Sequence, residues 1–327
     1  MSDVASTKGY EGAWNILTKI GAFARYVVHA HEGEDHKVRT LEDYIREITS
    51  KKEKIKLSRE HFERFCVAVK ETNPLHFNAE FARQKGFEDV FAPGMQLAAL
   101  GEQYINELVA GINEVVGVPY VTSEISLGLG KMNMVYPGKN LLWVCYDFDI
   151  SPEDGLKLSI IGGERKNLRT IDLTKPEMDI SDKKKIRKLG TTMDILLREG
   201  LPQEDKYLYG ADYRKDYQLD RESVDNFLQS IEEKPENHQG IPLMYSSSFF
   251  TATILDYFKA KLGEVSGIHV GSEFSFYGNP SFEKDLVVEL FLRKSRRIID
   301  CVASQDHKSL VYGKTSFVPL SKSIATD

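Results

Sequence analysis

An internal repeat is the feature that most constrains how this chain of 327 residues can fold. Ser58 and Asp220 each stand where a helix N-cap is expected, and apolar residues follow each of them by 4, 7, 8 and 11 positions. That spacing marks one face of an α-helix. A Ser-Glu-apolar-Ser sequence begins 30 positions after Pro93 and again 30 positions after Pro242. Equal spacing between similar flanks predicts a duplicated structural unit.

Each predicted unit ends in strand-like runs that are rich in branched aliphatic and aromatic residues. In the first unit these runs are 140–150, 155–161 and 167–173, and in the second they are 286–293, 297–304 and 309–318. A long apolar helix followed by several antiparallel strands predicts an α+β arrangement, in which a curved sheet wraps one buried helix.

The repeat also suggests domain boundaries. We place the first unit at 54–175 and the second, degenerate unit at 207–327, and we expect them to pair as a pseudo-dimer within one chain. The charged stretch 176–206 is interpreted as a solvated linker rather than a functional basic patch. Residues 1–53 carry two apolar helical stripes and are predicted to form an N-terminal helical extension packed on the core. Three histidines there, His29, His31 and His36, do not have the spacing of a tight metal site.

The composition excludes several classes of function. A net charge of −6 leaves no overall excess of Lys and Arg for nucleic-acid phosphates, so nucleic acid is not an expected partner. Three widely separated cysteines in apolar contexts fit a reducing compartment. No apolar run approaches the length needed to cross a bilayer. We therefore predict a cytoplasmic protein that neither binds nucleic acid nor associates with membranes.

The chemical signature of the chain is a short loop with the sequence 71–76, Glu-Thr-Asn-Pro-Leu-His. It places Glu71 and His76 five positions apart, and Gly94 follows at the start of an apolar helix. A carboxylate, an imidazole and a backbone N–H at a helix N-terminus suffice for acid–base chemistry on a carbonyl compound.

The repeat is asymmetric at this loop. Pro93 follows Val69 by 24 positions, whereas Pro242 follows the equivalent Ile231 by only 11, and Leu243 stands where the first unit has Gly94. The 13 missing positions fall in the loop region and the helix after it. We therefore predict one active site per chain, in the first unit.

The run Asn73-Pro74-Leu75-His76, followed by Phe81-Ala82, Gly86-Phe87 and Ala92-Pro93-Gly94-Met95, resembles the hydratase signature of the MaoC-like, (R)-specific enoyl-CoA hydratase family. The resemblance is strong over about 55–110. It implies a hot-dog fold in a double form with one active half, and it implies a hydratase or dehydratase of fatty acid metabolism. The expected substrate is an acyl-CoA or an acyl carrier protein thioester. No metal or redox cofactor is implied, and a homodimer is possible.

By the same resemblance, Glu71 and His76 are the catalytic pair that holds one water. Gly94 and Asn73 are assigned to oxyanion stabilisation and substrate binding. The family's acid is an aspartate preceded by glycine, and this chain has Glu71 preceded by Lys70. Two other functions stay open: a hot-dog thioesterase, in which Glu71 activates water for attack on the thioester carbon, and a catalytically silent acyl-thioester-binding or scaffold protein.

Overall fold

The computed structural model describes residues 55–116, 119–129, 134–151, 155–168, 185–186, 188–202, 208–235, 240–263, 266–293 and 297–320. The predicted N-terminal extension, with its three histidines, and much of the predicted linker lie outside these ranges. The helices are α1 (Arg59–Ala68), α2 (Ala79–Gln84), α3 (Gly94–Val116), α4 (Arg165–Leu168), α5 (Arg221–Ser230) and α6 (Leu243–Leu262), and a 3-10 turn spans Pro74–His76.

Ten strands of the described chain form one antiparallel sheet. They are β1 (Ile55–Lys56), β2 (Val121–Gly128), β3 (Asn140–Ser151), β4 (Gly155–Glu164), β5 (Thr191–Arg198), β6 (Tyr213–Tyr217), β7 (Gly267–Phe276), β8 (Leu286–Leu292), β9 (Ile298–Gln305) and β10 (Lys308–Pro319). Their order across the sheet is β1-β3-β4-β5-β2-β7-β10-β9-β8-β6. The predicted α+β class, with an antiparallel sheet and few helices, is confirmed.

The strand order read inward from one edge, β1-β3-β4-β5-β2, matches the order read inward from the other, β6-β8-β9-β10-β7. The two series meet where β2 pairs with β7, and Ile125 lies directly opposite Phe274. These two residues occupy the same place in the Ser-Glu-apolar-Ser sequence of each half. The centre of the sheet therefore pairs one copy of this sequence with the other.

The long helices α3 and α6 pack against each other and against the sheet, in one continuous apolar core. The shorter helices α1 and α5 begin where the sequence predicted. The Ser58 side chain accepts a hydrogen bond from the His61 backbone N–H, and Asp220 accepts one from Ser223. Each cap satisfies a backbone N–H that has no partner within the helix.

Two parts of the sequence interpretation are wrong. The segment 176–206 is not a linker throughout, because Thr191–Arg198 forms β5, which pairs with β2 and β4 in the middle of one half. Charged residues upstream of β5 obscured a strand whose inward side chains, such as Met193 and Ile195, are apolar and buried. The predicted strand 167–173 begins instead with the last residues of α4.

Three cysteines, Cys66, Cys145 and Cys301, are buried as thiols. Burial raises the pKa of the Cys145 thiol to about 12, so this group stays protonated at neutral pH. Within the part of the chain that the structure describes, no helix combines the length and the apolar character needed to cross a membrane.

Candidate active site

The turn that ends α1 sets the position of Glu71. The Lys70 N–H donates to the Val67 carbonyl oxygen at 3.3 Å, and the Glu71 N–H donates to the Cys66 carbonyl oxygen at 2.9 Å. These two bonds define a Schellman motif, which requires a left-handed residue after the helix. Lys70 takes that conformation, with φ of 57°. Glycine adopts it without strain, which explains why the family pattern has glycine at this position.

His76 is placed by the 3-10 turn that Pro74 begins. Its Nδ1 lies 2.8 Å from the Phe91 carbonyl oxygen, and its ring meets the Phe91 ring edge-on. Because a carbonyl oxygen only accepts, Nδ1 carries the proton in this contact and donates it. The other ring nitrogen, Nε2, is therefore the one that exchanges protons.

The carboxylate of Glu71 and the imidazole of His76 are in contact. Glu71 Oε1 lies 3.2 Å from His76 Nε2, and both side chains are buried, at 7 % and 5 % exposed for the two residues. A neutral Nε2 accepts a proton, and an Nε2 that has gained one donates it towards Oε1. The pair can therefore take up and release a proton without bulk water.

Asn73 stabilises this arrangement. Its Nδ2 lies 3.2 Å from His76 Nε2 and donates to the Gly267 carbonyl oxygen at 3.0 Å, while its Oδ1 accepts from the Leu75 N–H at 3.4 Å. The side chain is almost fully buried. These contacts hold the histidine against β7, and the predicted role of Asn73 in substrate binding stays a prediction.

Gly94 is the first residue of α3, as predicted. Glu71, Asn73, His76 and Gly94 all line one cavity of about 50 Å³. A water occupies roughly 10–15 Å³ on this measure, so the space suits a few small groups. The backbone N–H of Gly94 has no acceptor among the described residues. At a helix N-terminus such an N–H attracts negative charge.

Comparison with known proteins gives a match over the segment that carries the loop. The family model for the FAS1-like dehydratase domain region matches residues 46–123, which include Glu71, His76 and Gly94. No curated protein matches the chain in sequence. Over this segment the chain is similar to dehydratases of the MaoC-like kind. The match supports an enzyme of the dehydratase type.

Solved structures of MaoC-like proteins share the fold. One MaoC-like dehydratase superimposes with a TM-score of 0.50 at 12 % identity, over 82 % of this chain and 96 % of its own. A putative MaoC domain dehydratase from Chloroflexus aurantiacus gives 0.51 at 8 %, over 83 % and 94 %. A MaoC-like dehydratase from Phytophthora capsici gives 0.50 at 10 %, over 82 % and 95 %. At such identities the likeness shows a hot-dog fold and nothing finer.

The candidate site also contains residues that no sequence motif indicated. The Thr251 hydroxyl of α6 lies 3.2 Å from Glu71 Oε2, and its one proton is shared with the Ser248 carbonyl oxygen at 2.9 Å. His269 of β7 lines the same cavity. Neither residue belongs to a motif, and both lie more than 150 positions from Gly94 in the chain. Only the packing of the two halves brings them to the loop.

The N-terminus of α6, the counterpart of the Gly94 position, is closed. Glu102 Oε1 accepts a hydrogen bond from the Leu243 N–H at 2.8 Å, and Oε2 accepts one from Met244 at 2.9 Å. Glu102 is the ninth residue of α3, and Thr251 is the ninth residue of α6. The short Thr251 leaves the start of α3 accessible, whereas the long Glu102 binds the start of α6 with a carboxylate.

The second half nevertheless keeps part of the acid–histidine pattern. Glu233 follows α5 in the same Schellman motif that places Glu71, with its N–H donating to the Leu228 carbonyl oxygen at 3.0 Å. The sequence has His238 five positions later, outside the described residues. Among the described residues, the difference between the halves is therefore clearest at the two helix N-termini.

Proposed function

We propose that this protein is a MaoC-like hydratase or dehydratase that interconverts trans-2-enoyl and (R)-3-hydroxyacyl thioesters. The observation that carries the proposal is the 3.2 Å approach of Glu71 Oε1 to His76 Nε2 in a buried cavity that Gly94 also lines. A basic pair that is shielded from solvent, next to a helix N-terminus, is what enolate chemistry on a thioester requires.

In hydration, the two side chains hold one water between them. His76 Nε2 and Glu71 share its deprotonation and the return of a proton, because each accepts a proton in one step and releases it in another. The hydroxyl of the water adds to the β-carbon, and one proton reaches the α-carbon. The protons taken and given balance, and no group on the protein is left changed.

The thioester oxygen gains negative charge while the β-carbon is attacked. We assign its stabilisation to the Gly94 N–H and the N-terminus of α3. Glu102 supports this assignment by analogy within the chain, since its carboxylate binds two N–H groups at the equivalent start of α6. Glycine matters here because a Cβ at position 94 would meet the Leu129 side chain at its Cδ1.

We further propose that the two halves act as a pseudo-dimer with one site per chain. The mirrored strand order and the pairing of Ile125 with Phe274 support it. The site itself draws Glu71 and His76 from the first half and Thr251 from the second. The acyl carrier is expected to be coenzyme A or an acyl carrier protein.

The test uses crotonyl-CoA and a longer trans-2-enoyl-CoA with the purified full-length chain. Loss of the enoyl absorbance without release of thiol is the expected result. Release of free thiol would identify a thioesterase instead, with Glu71 activating water for attack on the thioester carbon. Binding of the thioester with neither reaction would favour a catalytically silent protein.

A further inference from the structure

A histidine of the second half lines the candidate site together with the loop. His269 lies on β7, and its Nδ1 lies 3.2 Å from the point where a Cβ on Gly94 would stand. The ring therefore lies against the N-terminus of α3. Glu71 and His76 line the same cavity from the first half.

A β-bulge turns His269 to this face of the sheet. Along β7, Ser272, Phe274 and Phe276 point inward and are buried, and strict alternation would leave residue 269 on the outer face. The pairing of β10 with β7 slips between Ser316 and Phe317, so that Phe317 lies opposite His269 and Val270 is left out of the register. Bulges of this kind often redirect a side chain next to an active site.

One nitrogen of the ring is held by the protein, and the other faces the cavity. Nε2 lies 2.8 Å from Ser272 Oγ, which in turn lies 2.9 Å from Thr315 Oγ1. Nδ1 is buried and has no hydrogen-bond partner in the described structure. Buried polar atoms normally have a partner, so an unpaired one at a cavity wall points to a ligand that supplies it.

The His269 ring is uncharged at neutral pH and can donate one hydrogen bond. Burial lowers the pKa of His269 to about 4, against the opposing effects of the nearby Glu71 carboxylate and the Gly271 backbone, so the ring is neutral at pH 7. A neutral imidazole has one N–H. When Ser272 donates to Nε2, that proton is on Nδ1 and points into the cavity.

We propose that His269 is a catalytic residue whose Nδ1–H donates a hydrogen bond to the thioester carbonyl oxygen, beside the Gly94 N–H. The assignment rests on the proposed function, because it concerns the same thioester in the same cavity. The oxygen then has two donors from different halves of the chain, Gly94 on α3 and His269 on β7. Two donors that converge on one oxygen resemble the oxyanion holes of acyl-transfer enzymes.

Three substitutions separate this role from simple packing. In His269→Asn the amide lies near the position of Nδ1, in His269→Gln it lies near the position of Nε2, and His269→Leu removes both groups. We expect kcat for crotonyl-CoA hydration to fall by about 10²–10³-fold in the Leu and Gln variants, with KM changed much less. His269→Asn is expected to recover most of kcat.

Glu273→Gln is the matched control. Glu273 lies on the same strand but is exposed on the outer face, where it pairs with Lys314. This variant should keep the kcat of the unsubstituted protein. Equal losses in the Asn, Gln and Leu variants, in parallel with lowered melting temperatures, would show a structural role and overturn the assignment.

A second measurement does not depend on turnover. Butyryl-CoA labelled with ¹³C at the carbonyl lacks the double bond, so it binds without being hydrated. The assignment predicts that its C=O stretching frequency falls on binding and falls less in His269→Leu. An unchanged frequency in the unsubstituted protein, or the same fall in both proteins, overturns it. A normal frequency shift without any hydration of crotonyl-CoA would contradict the proposed function and leave the contact supported, and failure to bind butyryl-CoA would refute both.

Discussion

The Glu102 carboxylate lies 2.8 Å from the Leu243 backbone nitrogen and accepts its hydrogen bond at the start of α6. A second bond, from the Met244 N–H, completes the contact. The carboxylate thus satisfies two N–H groups that the helix itself cannot pair. It also shows that a helix N-terminus in this fold binds a carboxylate oxygen, and it occupies the position in the second half that corresponds to Gly94.

Removing this carboxylate should destabilise the protein without affecting catalysis. Glu102→Ala leaves one buried and one partly buried N–H group unpaired, and we expect the free energy of unfolding to fall by about 2–4 kcal/mol. Urea denaturation measures the loss, and crotonyl-CoA hydration should keep its kcat. Glu114→Ala, an exposed position on the same helix, is the control and should change stability little. Equal stabilities of the two variants would contradict the role given to Glu102.

Alanine at either member of the proposed catalytic pair should remove most of the turnover. General acid–base catalysis contributes about 10²–10⁴-fold, so His76→Ala and Glu71→Ala are expected to lower kcat by at least the smaller factor. Steady-state hydration of crotonyl-CoA measures it, and circular dichroism checks that the fold persists. Full activity in Glu71→Ala would refute the assignment of Glu71.

Shortening the acid to the residue typical of the family should not help this chain. The structure sets the backbone so that the longer glutamate reaches His76 Nε2 at 3.2 Å. Glu71→Asp withdraws the carboxylate by roughly one methylene, and a displacement of about 1 Å costs on the order of 10²-fold in rate. An Asp variant as fast as the unsubstituted protein would mean that the loop, and not the side-chain length, fixes the water.

Glycine should suit both Schellman turns better than the present residues. Lys70 and Glu232 are equivalent positions with φ of 57° and 60°. Lys70→Gly and Glu232→Gly should each raise the free energy of unfolding by about 0.5–1 kcal/mol, because a side chain is disfavoured in this conformation. Lys70→Ala keeps the strain and serves as the control in denaturant titrations. No gain in either glycine variant would show that the surrounding structure offsets the strain.

The protonation of His269 should make stability depend on pH. Its pKa is about 4 in the folded protein, whereas the ordinary value of 6.5 applies when it is unfolded. Between these values the unfolded chain binds a proton that the folded one does not, so stability is fully present above pH 6.5 and is lost as the pH falls towards 4. The slope approaches 1.4 kcal/mol per pH unit at most, and the loss of stability between pH 7 and pH 5 is about 2 kcal/mol.

His269→Asn removes this group and should flatten that part of the pH profile. Denaturant titrations at pH 7 and pH 5 give the difference for each protein, and other titrating groups cancel in the comparison. Identical pH profiles for the two proteins would mean that the ring binds its proton as easily in the folded state as in the unfolded one.

Much of the fold was predictable because local patterns specify it. The caps Ser58 and Asp220 and the apolar spacing after them predicted α1 and α5, and the strand-like runs predicted β3, β4, β8, β9 and β10. The strand β5 was not predicted, because the charged residues just upstream of it make the whole segment look like a solvated linker. The short strands β1 and β6 carry too few residues for a clear alternation.

By itself, the sequence determined the acid and the histidine of the candidate site and the glycine that follows them. These residues are close in the chain, and a turn, a helix cap and a five-residue spacing suffice to bring them near each other. The tertiary structure decided which other side chains lie beside these three residues. Thr251 and His269 arrive through the packing of α6 and β7, and His269 faces inward only because a bulge shifts the register. Such contacts depend on long-range packing, which local spacing does not encode.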